Sequence, residues 1–187
     1  MSTLKNFSMR LMLAAMVAAA AACGGDDSER WTGEASVDSL IQDILDGDRD
    51  ALRDALATVE HPCKQPGTAD VGELPCPDGT SGDTAEVFQV TGCHAEYRAP
   101  EQFSEVAEAF FGAGSAGDHW KLYAVYRGID DLFGETYRVV FADDNGDGRA
   151  AWIRASGKVV LVELGCGATA PAAFVEGVTG FVVAPGD

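Results

Sequence analysis

The chain has 187 residues, 47% of them hydrophobic, with 30 acidic against 13 basic side chains and a formal net charge of −17. That length is enough for one domain with its own core. The acidity argues against nucleic acid as a partner, because binding there depends on Lys and Arg meeting phosphates.

Lys5 and Arg10 form a short positive region, and residues 11–22 are an unbroken apolar run. The run is too short to cross a bilayer, which takes roughly 20 residues. Its charged start, short apolar centre and small-residue end are those of a removed secretory segment. Ala20-Ala21-Ala22-Cys23 closes it, and Gly24-Gly25-Asp26-Asp27 follows. This stretch resembles a bacterial lipoprotein signal peptide. The resemblance implies that Cys23 is acylated and becomes the mature N-terminus. The protein would then sit on the extracytoplasmic face of a cell membrane or outer envelope, with membrane lipid as its first partner. Ordinary signal cleavage without lipid is the alternative, since Ala20 stands three residues before the cysteine. Loss of Lys5 and Arg10 would take the basic residues from 13 to 11 against 30 acidic ones, a net charge of −19. Such a field keeps the globular part off anionic headgroups. The acyl chains must then supply the attachment, and two chains hold where one is marginal. The expected organisation is a signal peptide over 1–22, a lipid-anchored linker over 23–35 and a single extracytoplasmic domain over 36–187.

Val37, Leu40, Ile41, Ile44 and Leu45 recur at helical spacing, with Ser36 as N-cap and Gly47 as stop. Asp48 caps a second helix whose inner face is Ala51, Leu52, Ala55, Leu56 and Val59, ended by Pro62. Two short helices around one glycine predict a helical hairpin. Residues 62–84 are rich in Pro, Gly, Asp and Thr and predict a loop, in which Cys63 and Cys76 argue for order. Residues 86–98 are strand-like, interrupted at Gly92 by a bulge, a bend or a tight joint between two short strands. Pro100 opens a third helix with Phe103, Val106, Ala107, Phe110 and Phe111 on its apolar face. The period then changes to two, predicting strands over 120–127, 136–142, 149–155 and 158–164. Turns at 143–148 and 156–157 make the last three an antiparallel meander. The tail carries a helical turn near 171–176 and an apolar patch at 181–183.

This order predicts an α+β domain in which a helical hairpin and a third helix pack on one face of a curved antiparallel sheet. Over residues 36–164 it resembles the cone-shaped fold of nuclear transport factor 2-like proteins, close in shape to the cystatin-like group. The resemblance implies a cone-shaped pocket between helices and sheet.

Five cysteines, Cys23, Cys63, Cys76, Cys93 and Cys166, leave one thiol unpaired in an exported protein. If Cys23 is consumed by lipid, the other four can pair completely. Three pairings are open, of which Cys63–Cys76 with Cys93–Cys166 is favoured. The first closes the Pro/Gly-rich loop, and the second joins the strand before the third helix to the end of the last strand. On the chain-entropy model the rings contribute up to roughly 3 and 4.5 kcal/mol. Disulfides suit an exported compartment, and no C-x-x-C spacing points to zinc.

Residues 143–148, Asp-Asp-Asn-Gly-Asp-Gly, are the most motif-like run. Asp143, Asn145 and Asp147 with Gly148 match the first half of an EF-hand calcium loop, but Arg154 stands where the bidentate Glu belongs. Asn-Gly and Asp-Gly are also what a hairpin turn needs, and that reading is preferred. His61, His94 and His119 are scattered. If Cys93 points to its partner, His94 shares the opposite, solvated face with Glu96 and Arg98. Asp118-His119 precedes a strand and is the nearest thing to an acid–base pair. Trp120, Tyr123, Tyr126, Tyr137 and Trp152 fill a core or line a pocket. No nucleophile elbow, metalloprotease motif or phosphate loop occurs, so no catalytic, cofactor-binding or metal-ligating residue is assigned. The leading expectation is a non-catalytic, lipid-anchored domain that binds a small molecule or another envelope protein. The alternatives are a small hydrolase or isomerase working in the cone, with Asp118, His119, His94 and Tyr137 to inspect, and a calcium-dependent adhesion module.

Overall fold

The computed structural model describes residues 31–64, 76, 83–112, 120–130, 132–167 and 169–186. Residues 1–30, and with them Cys23 and the signal segment, lie outside the described residues, as do Asp118 and His119. The elements are α1 (Ala35–Leu45), α2 (Arg49–Ala55), β1 (Val59–Pro62), β2 (Thr84–Thr91), β3 (Ala95–Arg98), α3 (Phe103–Phe111), β4 (Lys121–Asp130), β5 (Gly134–Ala142), β6 (Gly148–Ile153), β7 (Val159–Glu163) and β8 (Phe181–Val183). Short 3-10 turns cover Pro100–Gln102 and Pro171–Val175. The fold is α+β, as its element order predicts. None of the described helices is long and apolar enough to cross a membrane.

Among the described residues the eight strands form one sheet in the order β1-β2-β7-β6-β5-β4-β8, with β3 also paired to β2. The meander of β4 to β7 is antiparallel throughout. The sheet as a whole is not. β2 runs parallel to β7 through Val90–Val162 and Thr91–Glu163, which corrects the expected antiparallel sheet to a mixed one. Turn residues specify hairpins between neighbouring strands. The direction of β7 against β2 is set by the route of the chain through α3 and the meander, which no turn signal records.

The first helix begins at Ala35, not after Ser36. Its buried Asp38 carboxylate accepts the Thr32 N–H and hydroxyl, each at 2.7 Å, and the Gly33 N–H at 3.2 Å. Trp31 packs on the core, so the end of the predicted linker works as part of the fold. Asp48 caps α2 by accepting the Ala51 N–H at 2.9 Å. That helix stops at Ala55, short of the predicted Pro62. Leu56 bridges Val159, and the Ala57 N–H donates to the Val159 carbonyl at 2.7 Å. Pairing with β7 overrides the helical pattern, and the chain crosses from β7 to β2 as β1. Val59, predicted on an inner helix face, is 53% exposed there. Gly92 turns out to be the joint between two short strands, β2 and β3.

All three helices lie on one face of the sheet. Ile41, Ile44, Leu52, Phe103 and Phe110 meet Phe88, Val139, Phe141 and Ile153 in one continuous apolar cluster. The Phe110 ring lies against Trp120 and Phe141 at centroid distances of 5.9 and 6.0 Å. Side chains fill most of the space between helices and sheet, leaving a hollow of about 170 Å³ where Val106 and Ala109 of α3 meet Val90 and Leu164.

The sulfurs of Cys63 and Cys76 lie 1.97 Å apart and those of Cys93 and Cys166 2.06 Å apart, the favoured pairing. The first bridge is buried with Ala85 and Val87. The second is exposed and ties the β2–β3 turn to the segment that follows β7.

Candidate functional site

Alternation sends every second residue of the meander to the face away from the helices. Register places Tyr126 of β4 beside Arg138 of β5, and Arg138 beside Trp152 of β6. Glu163 of β7 completes the group. Arg138 Nε donates to Glu163 Oε2 at 2.6 Å, and Trp152 Nε1 donates to the same oxygen at 2.8 Å. Arg138 Nη1 donates to the Tyr126 hydroxyl at 2.6 Å, which in turn donates to the Phe174 carbonyl at 3.0 Å. The guanidinium lies 5.3–5.8 Å from the ring centroids of Trp152, Tyr126 and Phe174, a cation–π arrangement. Burial raises the Tyr126 phenol above its ordinary value, and the Arg138 cation partly offsets this. The phenol therefore stays protonated and keeps its donor bond to Phe174.

Phe174 belongs to the C-terminal segment, which straps this face. It packs with Ala124, Tyr126, Val140 and Ala150, and Val175, Val178 and Phe181 extend the contact. β8 then pairs with β4. The strap passes so close to β6 that a Cβ on Gly148 would stand 2.7 Å from Pro171 Cα. The Gly148 N–H donates to the Thr169 carbonyl at 2.6 Å.

Beyond the strap the same face stays open as a groove of about 260 Å³. Its side walls come from the crossing segment, through Thr58, Val59 and His61, and from Leu132 and Phe133 of the β4–β5 turn. Gln89, Tyr97, Val160 and Arg154 complete it. Val160 is there because the β6–β7 register slips between Trp152–Leu161 and Ile153–Val159, an extra residue of the β-bulge kind. The His61 and Tyr97 rings lie 3.9 Å apart, and Phe133 meets the Trp152 edge at 5.8 Å, joining the groove to the Arg138 cluster. Leu132 is 79% exposed and Ile129, on the same hairpin, 88%. Two larger hollows are more open and more polar. One of 560 Å³ is lined by Asp83, Glu86 and Glu101. The other, of 500 Å³, is lined by Glu34, Glu135, Arg127 and Tyr137. Neither combines enclosure with apolar walls, which is what small-molecule sites share.

The residues singled out from sequence disperse. His94 is exposed in the β2–β3 turn, where its carbonyl accepts the Gly92 N–H, instead of sharing a strand face with Glu96 and Arg98. Tyr137 sits in the helix-side core, its hydroxyl accepting Arg127 Nη2 at 2.9 Å. Asp143 organises the β5–β6 hairpin: its Oδ1 accepts the Asn145 and Asp147 N–H groups at 2.9 and 2.7 Å. Lys121 pairs Asp144 at 2.8 Å. Among the described residues no cluster of three or more His, Cys, Asp or Glu side chains is placed to hold a metal ion. The aromatic set divides between the faces, Trp120 and Tyr137 inward and Tyr123, Tyr126 and Trp152 outward. Arg138, Glu163 and Gln89 escaped the sequence reading, and Arg154 entered it only as the residue that breaks the calcium-loop pattern. The signal for the first two was a charge inside an otherwise apolar strand, Thr-Tyr-Arg-Val-Val-Phe and Val-Val-Leu-Val-Glu.

No family model, curated protein or solved structure matches the chain.

Proposed function

We propose that this protein is a lipid-anchored, extracytoplasmic binding domain of the cell envelope, non-catalytic, with the groove beside the Arg138 cluster as its site. The observation that carries the binding role is the contrast in filling. Aromatic and aliphatic side chains occupy most of the space between helices and sheet, leaving about 170 Å³ beside α3, while the opposite face keeps a larger, apolar-walled groove of about 260 Å³. The two disulfides fit an oxidising compartment. The anchor rests on the 1–27 sequence pattern. The fold reading that accompanies it is the nuclear transport factor 2-like type, supported by two leading helices, a third helix before the meander, and all three on one face. In this chain the cone would be closed by its own core, and binding moves to the outer face.

Intact-mass analysis of the membrane-extracted protein and fractionation of a Cys23→Ala variant test the anchor. The expected result is a diacylglyceryl adduct on residue 23, and release of the variant from the membrane fraction. An unmodified mature N-terminus would refute it. Binding is tested by screening small fragments for perturbation of Tyr97, Phe133 and Val160 resonances, where silence across the screen removes the groove as a site.

A further inference from the structure

We infer that the groove takes a small aromatic carboxylate. The inference rests on the groove being a binding site and names the chemistry of its ligand. Arg154 carries it. Its guanidinium holds no ion pair or hydrogen bond among the described residues, although the chain has 30 acidic residues to offer one. None of the ten described residues lining the groove is a carboxylate. In the neighbouring hollow that Arg154 also borders, Glu135 already faces Arg127 at 3.7 Å. Among the described residues, then, Arg154 stands unpaired between a groove with no carboxylate in its lining and a hollow whose carboxylates are Glu34 and the Arg127-facing Glu135.

The remaining lining supplies the rest of the recognition. Val59, Val160 and Phe133 give apolar walls, and Tyr97, tilted 30° against the His61 ring, gives an aromatic one. A ring between such surfaces buries its faces and edges favourably. A planar guanidinium fork matches a carboxylate through two parallel N–H bonds, a geometry that neither an amide nor an amine reproduces. Gln89 is half-buried, and its side-chain amide likewise holds no hydrogen bond among the described residues. It can donate to a carboxylate oxygen or a ring substituent. The groove, at about 260 Å³, falls below the roughly 300 Å³ at which pockets bury drug-sized ligands. One ring with a short acidic arm is the size it suits.

The test uses the full membrane-extracted chain and three fluorinated probes of similar size, 4-fluorobenzoate, its planar isostere 4-fluorobenzamide and the cationic 4-fluorobenzylamine, followed by fluorine NMR line broadening. Benzoate should bind with a dissociation constant on the order of 0.1–1 mM, and the amide and amine at least about tenfold more weakly. Arg154→Gln should lose that preference with an unchanged melting temperature, since its side chain has no partner to break. Lys121→Gln, the same charge change at the Asp143 hairpin, should bind as the parent does. Equal binding of all three probes, or equal loss in both variants, overturns the carboxylate assignment while leaving a binding groove. Failure of every probe, with no shift at Tyr97 or Phe133, removes the groove itself.

Discussion

The two faces of this sheet solve burial differently. On the helix side, α1, α2 and α3 press a wholly apolar cluster onto the strands, and Ile41, Ile44, Leu52, Phe110 and Phe141 are completely inaccessible. On the other side the same strands carry Arg138 and Glu163, wrapped by Tyr126, Trp152 and Phe174. A thin strap covers only part of that face. Apolar packing seals a surface, because any gap forfeits dispersion contacts on every side. A satisfied polar cluster is directional and serves only the groups it bonds. The sealed face can therefore hold the fold together while the other keeps an open groove.

The contrast predicts a gradient of effects. Phe110→Ala on the sealed face should cost about 3–5 kcal/mol and lower the melting temperature by on the order of 10 °C, read by thermal unfolding. A cost near that of a surface residue would break the comparison. Arg138→Met leaves the nearly buried Glu163 carboxylate without its cation and should cost about 2–4 kcal/mol. The double variant Arg138→Met with Glu163→Gln should recover most of this, because Gln still accepts the Trp152 N–H. Urea unfolding of the single and double variants checks it, and no recovery would mean that Arg138 acts by packing alone. Gly148→Ala drives a methyl into Pro171 and the Phe174 ring, and should cost about 1–3 kcal/mol. Hydrogen exchange should show the loss confined to residues 171–183, with α1 and α3 as protected as before.

The smallest effect is electrostatic. Partial burial, then the Asp48 and Asp46 carboxylates, raise Asp43 above its ordinary value of 3.8. A carboxyl whose folded value is raised favours folding in its protonated form, so its ionisation destabilises the fold as pH rises. Asp43→Asn should accordingly raise the melting temperature at pH 7 by about 1 °C or less, given solvent screening. The difference should vanish as pH falls below the ordinary carboxyl value. A variant less stable than the parent at pH 7 would reverse the sign.

Much of the helix face was legible. The spacing of Val37, Leu40, Ile41 and Ile44, and of Phe103, Val106 and Phe110, records a stripe that must be buried, whatever covers it. The Asp48 cap and the Asp143 hairpin are local chemistry and read equally well. The second helix misled because Leu56 and Val59 fit a helical period, while Val159, distant in sequence, offered Ala57 a backbone partner. The candidate site was almost illegible. Arg138 and Glu163 are 25 positions apart, and only the strand register brings them together. Gln89, Arg154 and Phe133 are unremarkable one at a time.

The sequence by itself determined most of the helices and strands, β1 excepted, the set of cysteines available to pair and the acidity, because each is written in neighbouring residues or in composition. Only the tertiary structure decided that β2 lies parallel to β7, that the strap covers one end of the outer face, and that Arg154 borders the open end. Those features depend on the path of the chain between distant elements. Local propensity carries no record of that path.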